Sequence, residues 1–441
     1  MTLELKMMNW LSANHGPDEV CQTSGLLRIT LDNLVATYID DDWSQSVRDE
    51  VFLSAYPLAL WFASSWWRLR WEPKPETPNT SWRMAHEMTA AGYGFLWPRL
   101  VFASDGERVD VICHHTKKTP IEPIRYLEDF QRSITASEFE QAVDSFVNLV
   151  LMRLDAVALK NTELQRIWNE VWEERQNAEA SIYRRLEAGL GYDPDEAPAQ
   201  IMERLRDLSN DVGKDAIAEV APACSGDDPE TSLGHVIELA QLEGIEGKVQ
   251  PLNDLPRILH NSAFRRSTPW EQGRQLAQFA RSDWEIHTGQ VQDGTLSQIL
   301  NIDVRVFQPD PARSQQPLGL AVRDGNTDHL KFHFRRSNHH GRRFEVARFL
   351  ADYLIAPTTD RWLPTTATGT ARQKVQRAFA AEFLCPISEL KTYLDGDFSE
   401  EAIDDASDYF DVSPLTVSSH LVNNQALDPK QRAEILSRFA I

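Results

Sequence analysis

Cysteine is scarce in this sequence and widely spaced. The 441 residues contain four, Cys21, Cys113, Cys224 and Cys385, and no two of them make a C-x-x-C pair. That spacing removes chemistry of the C-x-x-C kind and reads as reduced thiols in a cytoplasmic protein. Long apolar runs are missing too. The most apolar stretch, Val51 to Phe62, is too short to span a bilayer, so no membrane insertion is expected. Residues 1–18 lack a basic start followed by an apolar run, and no secretory signal is expected. Basic charge is in deficit: 45 Lys and Arg face 66 Asp and Glu, for a formal net charge of −21 and a pI near 5.0. Phosphate backbones are held by clustered Lys and Arg, so tight nonspecific binding to nucleic acid is not expected. No internal repeat is evident.

What is present suffices for several cores. The chain is 42% hydrophobic and 25% charged, and its length suits two to four domains. Tryptophan concentrates near the start: Trp43, Trp61, Trp66, Trp67, Trp71, Trp82 and Trp97 lie in one short span, interrupted by Pro73, Pro75 and Pro78. Indole rings serve cores and binding surfaces alike. One reading is therefore an aromatic core. The other is an aromatic-lined pocket for a partner, with Trp66, Trp67 and Trp71 as its candidates. Strands are predicted over Leu26 to Leu31 and Val109 to Cys113, and a helix over Val47 to Ser65. His86-Glu87 begins like a zinc helix, but the second histidine would fall at Ala90. In Cys113-His114-His115, neighbours on a strand point to opposite faces, so any metal there would need ligands from elsewhere.

Residues 131–220 read as helical. Ser137-x-x-Glu140 has the form of a capping box, and Phe139, Val143, Phe146, Val147, Val150 and Leu154 follow at helical spacing. A second helix is predicted from about Asn161 to Leu186 and a third over Ile201 to Leu208. Residues 221–235 are rich in Pro, Gly and Asp, and read as a linker. A helical connector, 236–300, carries amphipathic stretches at Trp270 to Trp284 and Thr295 to Leu300. Short strands are predicted at Ile302 to Phe307, Leu318 to Val322 and His329 to Phe334. Residues 335–343 form a basic loop in which His339, His340, Arg342 and Arg343 are candidates for gripping an acidic partner or a phosphate.

Two helical stretches organise the last third. One runs Arg342-Arg343-Phe344-Glu345-Val346-Ala347-Arg348-Phe349-Leu350-Ala351-Asp352-Tyr353-Leu354, and the other ends Phe379-Ala380-Ala381-Glu382-Phe383-Leu384-Cys385-Pro386. Together they resemble the ImmA/IrrE-type metallopeptidases, over roughly residues 290–430. Arg343-Phe344, Ala347 and Leu350 match the first family helix, and Phe379 to Glu382, Leu384 and Pro386 match the second. The zinc chemistry does not match. The family's H-E-x-x-H needs two histidines at i and i+4 and a glutamate base, and here those positions are Arg348, Phe349 and Asp352. Arginine offers a metal no lone pair, and phenylalanine accepts no proton. The family's third, acidic ligand would fall near Val375, where Gln373 and Gln376 stand instead.

The residue patterns, with the resemblance for the last third, point to an α+β, multi-domain protein. Residues 1–130 would be a Trp-rich mixed domain, 131–220 a helical region, 221–235 a linker and 236–300 a helical connector. Residues 301–441 would be a zincin-like α+β domain with its zinc site lost. No catalytic residue, no metal and no cofactor is expected. The function implied is a catalytically inactive sensor or regulatory subunit that binds a protein partner (a regulator, toxin or phage component) in bacterial stress response or phage defence. Two alternatives differ in class. One is an active metallopeptidase with ligands rearranged around Asp352, His329, His333, His339 or His340, and the other is an antitoxin-like inhibitor. Because i and i+4 side chains are neighbours on a helix, Arg348 is expected to pair with Asp352 and to stand in for the zinc charge.

Overall fold

Strand Ser24–Leu31 is the centre of the first sheet, and its alternation of side chains shows why: Leu27, Ile29 and Leu31 all point into the core. Leu3–Trp10 pairs along one edge, while Leu34–Val35 and Val51–Ser54 share the other, all antiparallel. The computed structural model describes residues 2–117, 122–287, 289–309, 316–325, 329–428, 431–432, 435 and 437–438. The chain divides into two units, Met1–Glu203 and Arg204–Ile441, each mixing helices with antiparallel strands. Among the described residues no helix is long and apolar enough to cross a membrane.

The first unit holds two more three-stranded sheets. One is ordered Phe130–Thr135, Arg108–His114, Arg99–Ser104, and the other Ser46–Arg48, Ile39–Asp41, Ile124–Tyr126. The stretch predicted as one helix from Val47 to Ser65 is helical only over Ala55–Ser64, because its β-branched and aromatic start pairs as strand. Helix Ala136–Ala156 buries the expected stripe of Phe139, Val143, Phe146, Val147, Val150 and Leu154. Its capping box is Thr135 with Glu138, two residues before the predicted Ser137 with Glu140. The second predicted helix is broken in two, Glu163–Gln176 and Ala178–Gly189. Asn177 leaves the helical conformation, and its side chain accepts the amides of Glu179 and Ala180.

In the second unit a four-stranded antiparallel sheet runs Ile245–Lys248, His329–His333, Gly319–Arg323, Trp362–Thr365. Helices His339–Ile355, Ala371–Leu384 and Pro269–Asp283 pack in succession beside it. Two expectations fail here. The predicted strand Ile302 to Phe307 is a 3-10 turn, Val304–Phe307, because the Asp303 carboxylate accepts the Arg305 amide and bends the chain. The predicted linker 221–235 is the end of helix Lys214–Ala223 and the start of helix Pro229–Gln241. Two of its residues are capping signals: Pro229 sits at the first helical position, and the Asp228 carboxylate accepts the Thr231 amide. Val220, Ala221, Cys224 and Leu233 are all buried.

Gly273 fixes how closely Pro269–Asp283 approaches Ala371–Leu384. A Cβ there would overlap the Val375 carbonyl oxygen and the Ala378 side chain. Alanine favours a helix interior by about 1 kcal/mol over glycine. Forcing a methyl against a neighbouring backbone costs roughly 1–3 kcal/mol. Gly273→Ala is therefore expected to be destabilising in urea denaturation, and a stabilised variant would contradict this close approach.

Candidate functional site

The site is built from two helices of the second unit that face one another. Arg348 and Asp352 lie on His339–Ile355, while Arg372, Gln373, Gln376 and Arg377 lie on Ala371–Leu384. The last three share one face by their i, i+3, i+4 spacing. The Thr370 side chain caps the second helix by accepting the Gln373 amide, which sets Gln373 at the mouth of the preceding threonine-rich loop.

Arg348 does not pair with Asp352. Its Nη2 donates to the Thr366 carbonyl at 2.7 Å and to the side-chain oxygens of Gln373 and Gln376. Those amides are fixed by what else they touch. Gln373 turns its nitrogen to Glu219 at 3.0 Å and to the Pro364 carbonyl, and Gln376 turns its own to the same carbonyl. Glu219 comes from helix Lys214–Ala223, a stretch without apolar periodicity at its end and read from sequence as entering a linker. It is fully enclosed, also accepts the Thr370 hydroxyl, and burial pushes its carboxyl above the ordinary range.

Asp352 is gripped by Arg372 instead. Nε and Nη2 donate to its two oxygens at 2.7 and 2.9 Å, and Nη1 reaches Asp360 at 2.7 Å. Burial opposes the charge on Arg372, but Asp352, Glu219 and Asp360 outweigh it and hold the guanidinium above its ordinary value. Phe349 is fully buried with its ring 5.5 Å from Phe332 and 5.8 Å from Phe334, so the position that would carry the general base is core.

The partner-binding candidates are distributed differently from expectation. Arg342 and Arg343 are buried, not displayed on a loop. Arg342 donates to the carbonyls of Arg336, Val306 and Gln308. Arg343 donates to the carbonyls of Asp411 and Val291 and to the Asp293 carboxylate. Both tie the turns around the helix start to the helix itself, and their burial withdraws them from direct contact with a partner. Trp66 and Trp67 are core as well. Trp66 stacks on Phe139 and meets Trp168 edge-on, and Trp67 donates its N–H to Glu174 at 2.7 Å. Trp71, partly buried, lies between the guanidiniums of Arg70 and Arg185 at 4.1 and 4.4 Å. The aromatic-lined cleft of the first unit uses Trp97, Phe95 and Tyr126 with Arg99, His114 and His115, around a volume of about 800 Å³. His86 is buried, stacked on Trp82, and bonded to Glu72 and the Phe102 carbonyl.

His339 and His340, half-buried at the first turn of their helix, face Asp411 at 3.0 and 3.2 Å. His339 also meets the Phe307 carbonyl at 3.0 Å, so oxygen acceptors flank both ring nitrogens and hydrogen bonding at both requires the imidazolium. Burial works against that charge, but Asp411, the Phe307 carbonyl and Asp293 outweigh it and raise the His339 pKa. Asp293, His339 and Asp411 each present one ligand atom within 4.8 Å of the others, a geometry able to hold a cation. Arg343 already brings a cation to them: it bonds Asp293 and lies 3.2 Å from Asp411. Of the other histidines weighed as rearranged ligands, His329 is exposed and His333 buried on their strand, and neither belongs to this group.

Two outcomes follow from this geometry. In double-mutant cycles, Arg372→Met with Asp352→Asn should couple by roughly 1–3 kcal/mol, and Arg348→Met with Asp352→Asn by under about 0.5 kcal/mol. A larger coupling for the second pair would restore the expected Arg348 pairing. For pH, the His339 pKa is raised, so its stabilisation is complete below the unfolded value and is lost as pH rises through the folded one. Thermal melts between about pH 6 and pH 8 should show a loss with rising pH that is smaller in His339→Gln. Identical pH profiles would contradict the assignment. In comparisons with known proteins, no family model, no curated protein and no solved structure matches this chain.

Proposed function

We propose that this protein is a catalytically inactive, ImmA/IrrE-like sensor or regulatory subunit. On this reading its second unit binds a protein partner, such as a regulator, toxin or phage component, in bacterial stress response or phage defence. The observation that supports the reading is the occupancy of the three zinc-motif positions. One holds a guanidinium caged by a carbonyl and two amides, one a core phenylalanine, and one a carboxylate committed to Arg372. Hydrolysis of a peptide bond by this route needs a metal-bound water and a base beside it, and none of the three side chains is disposed to supply either. Partner binding needs exposed anchors. Tyr393 and Tyr409 supply a candidate pair, stacked at 4.7 Å and both exposed on the second unit.

A second reading keeps one observation in its favour. If the protein is a metallopeptidase with rearranged ligands, the group to hold the metal is Asp293, His339 and Asp411. The test separates the two. Purified protein is incubated with zinc or manganese and candidate repressor-type regulators, and cleavage is followed by mass spectrometry alongside pull-down. Stable binding without cleavage is expected. Metal-dependent cleavage lost in His339→Ala would establish the second reading, and cleavage lost in Asp352→Ala would overturn the inactive assignment at the motif itself.

A further inference from the structure

We propose that Arg348 and Arg377 form a binding site for a small oxyanion of the phosphate class, free or carried on a nucleotide. The inference stands apart from the partner-binding reading and needs no protein partner. Arg348 is 7% exposed, yet only Nη2 of its three nitrogens has acceptors among the described residues, and all of these are neutral oxygens. Its Nε is enclosed without a hydrogen-bond partner. Arg377, half-buried one turn beyond Gln373, makes a single hydrogen bond among the described residues, from Nη2 to the Thr368 carbonyl at 2.9 Å. Neither guanidinium has a carboxylate at ion-pair distance among the described residues, in contrast to Arg372 and Arg343 close by.

A buried guanidinium without a counter-charge is costly, and proteins ordinarily avoid it by pairing. Here the two guanidiniums also disfavour one another, and nearby carboxylates offset this only in part. Burial, then the positive charge of Arg377, lowers the Arg348 pKa to about 9 against the pull of Glu345, and burial lowers that of Arg377 to about 10, with Glu219 working against the shift and Arg335 with it. Both remain cations at neutral pH. The nearest carboxylates are engaged elsewhere. Glu345 accepts the backbone amides of Arg335 and Arg336, and Glu219 is bonded to Thr370 and Gln373. An anion arriving between Arg348 and Arg377 would neutralise this excess.

The donor arrangement selects among anions. A carboxylate is best met by an intact planar fork of two N–H groups. The Arg348 fork is broken, because its Nη2 already serves three acceptors. The remaining donors lie on separate nitrogens and separate residues, which suits a tetrahedral group whose oxygens point several ways. A phosphate dianion also matches two adjacent cations in charge.

Isothermal titration of the full chain with inorganic phosphate, and separately with ATP, tests this at low ionic strength against a chloride control. Saturable binding is expected with at least one titrant, weakened roughly tenfold or more in Arg377→Gln and in Arg348→Met. Arg377→Gln is half-buried and keeps a hydrogen-bond donor for Thr368, so it decides the matter if Arg348→Met does not fold. Binding of both titrants identifies phosphate itself as the ligand group, and binding of ATP alone identifies a nucleotide source. No saturable binding of either, or binding unchanged in Arg377→Gln, would overturn the site.

Discussion

Buried guanidinium groups must find acceptors, and that requirement shapes the second unit. Arginine stays charged in the interior, so each enclosed nitrogen draws carbonyl or carboxylate oxygens towards it. Arg323 gathers the carbonyls of Tyr353, Pro357 and Asp360, closing the turn after helix His339–Ile355. Arg281 reaches the carbonyl of Phe383 and joins helix Pro269–Asp283 to the end of Ala371–Leu384. Arg342 and Arg343 fasten the turns at the start of the long helix. Arg372 joins two helices through Asp352 and Asp360. The chain is acidic overall, at −21, but its second interior is organised by cations. Net charge is a statement about the average field and says little about a particular pocket.

Within that pattern Arg348 is the exception. Arg323, Arg342, Arg343 and Arg372 end on carboxylates or on several backbone oxygens, and Arg281 reaches the Phe383 carbonyl. Arg348 ends on two amides and one carbonyl at a single nitrogen. Fixing both glutamine side chains costs rotamer entropy, roughly 1.5–2 kcal/mol each, which a purely structural role would seldom require. This is the physical contrast that separates a candidate ligand group from the surrounding staples.

Much of the fold was legible in local pattern. The stripe from Phe139 to Leu154 and the strands around Leu27 and Val111 carry their period in sequence. The errors have local causes too. Thr135-x-x-Glu138 and Ser137-x-x-Glu140 both have the form of a capping box, and only backbone geometry decides between them. The stretch 221–235 reads as a linker because the capping pair Asp228-Pro229, with Pro222, Gly226 and Gly234 around it, resembles loop composition. The site was legible in its residue types and not in its pairings. Spacing put Arg348 beside Asp352, but Arg372 arrives from another helix and offers a two-pronged contact that a neighbour at i−4 does not make. Glu219 lies some 130 residues before Arg348 in the chain, and nothing in its Ala-rich surroundings marked it. The exposure of Arg342 and Arg343 was misjudged for the same reason: a run of basic residues reads as solvated until the carbonyls that surround it are known.

Charged arginines enclosed in its interior hold the second unit together. Side-chain NMR of protein labelled with nitrogen-15 at arginine tests it most directly, through hydrogen exchange at the Nε–H groups. Resolved, slowly exchanging signals are expected at neutral pH, assigned to Arg343 and Arg372 by their loss in single variants. If every arginine Nε–H exchanged as fast as in an unfolded peptide, the enclosed guanidinium network would not exist and the account would fall.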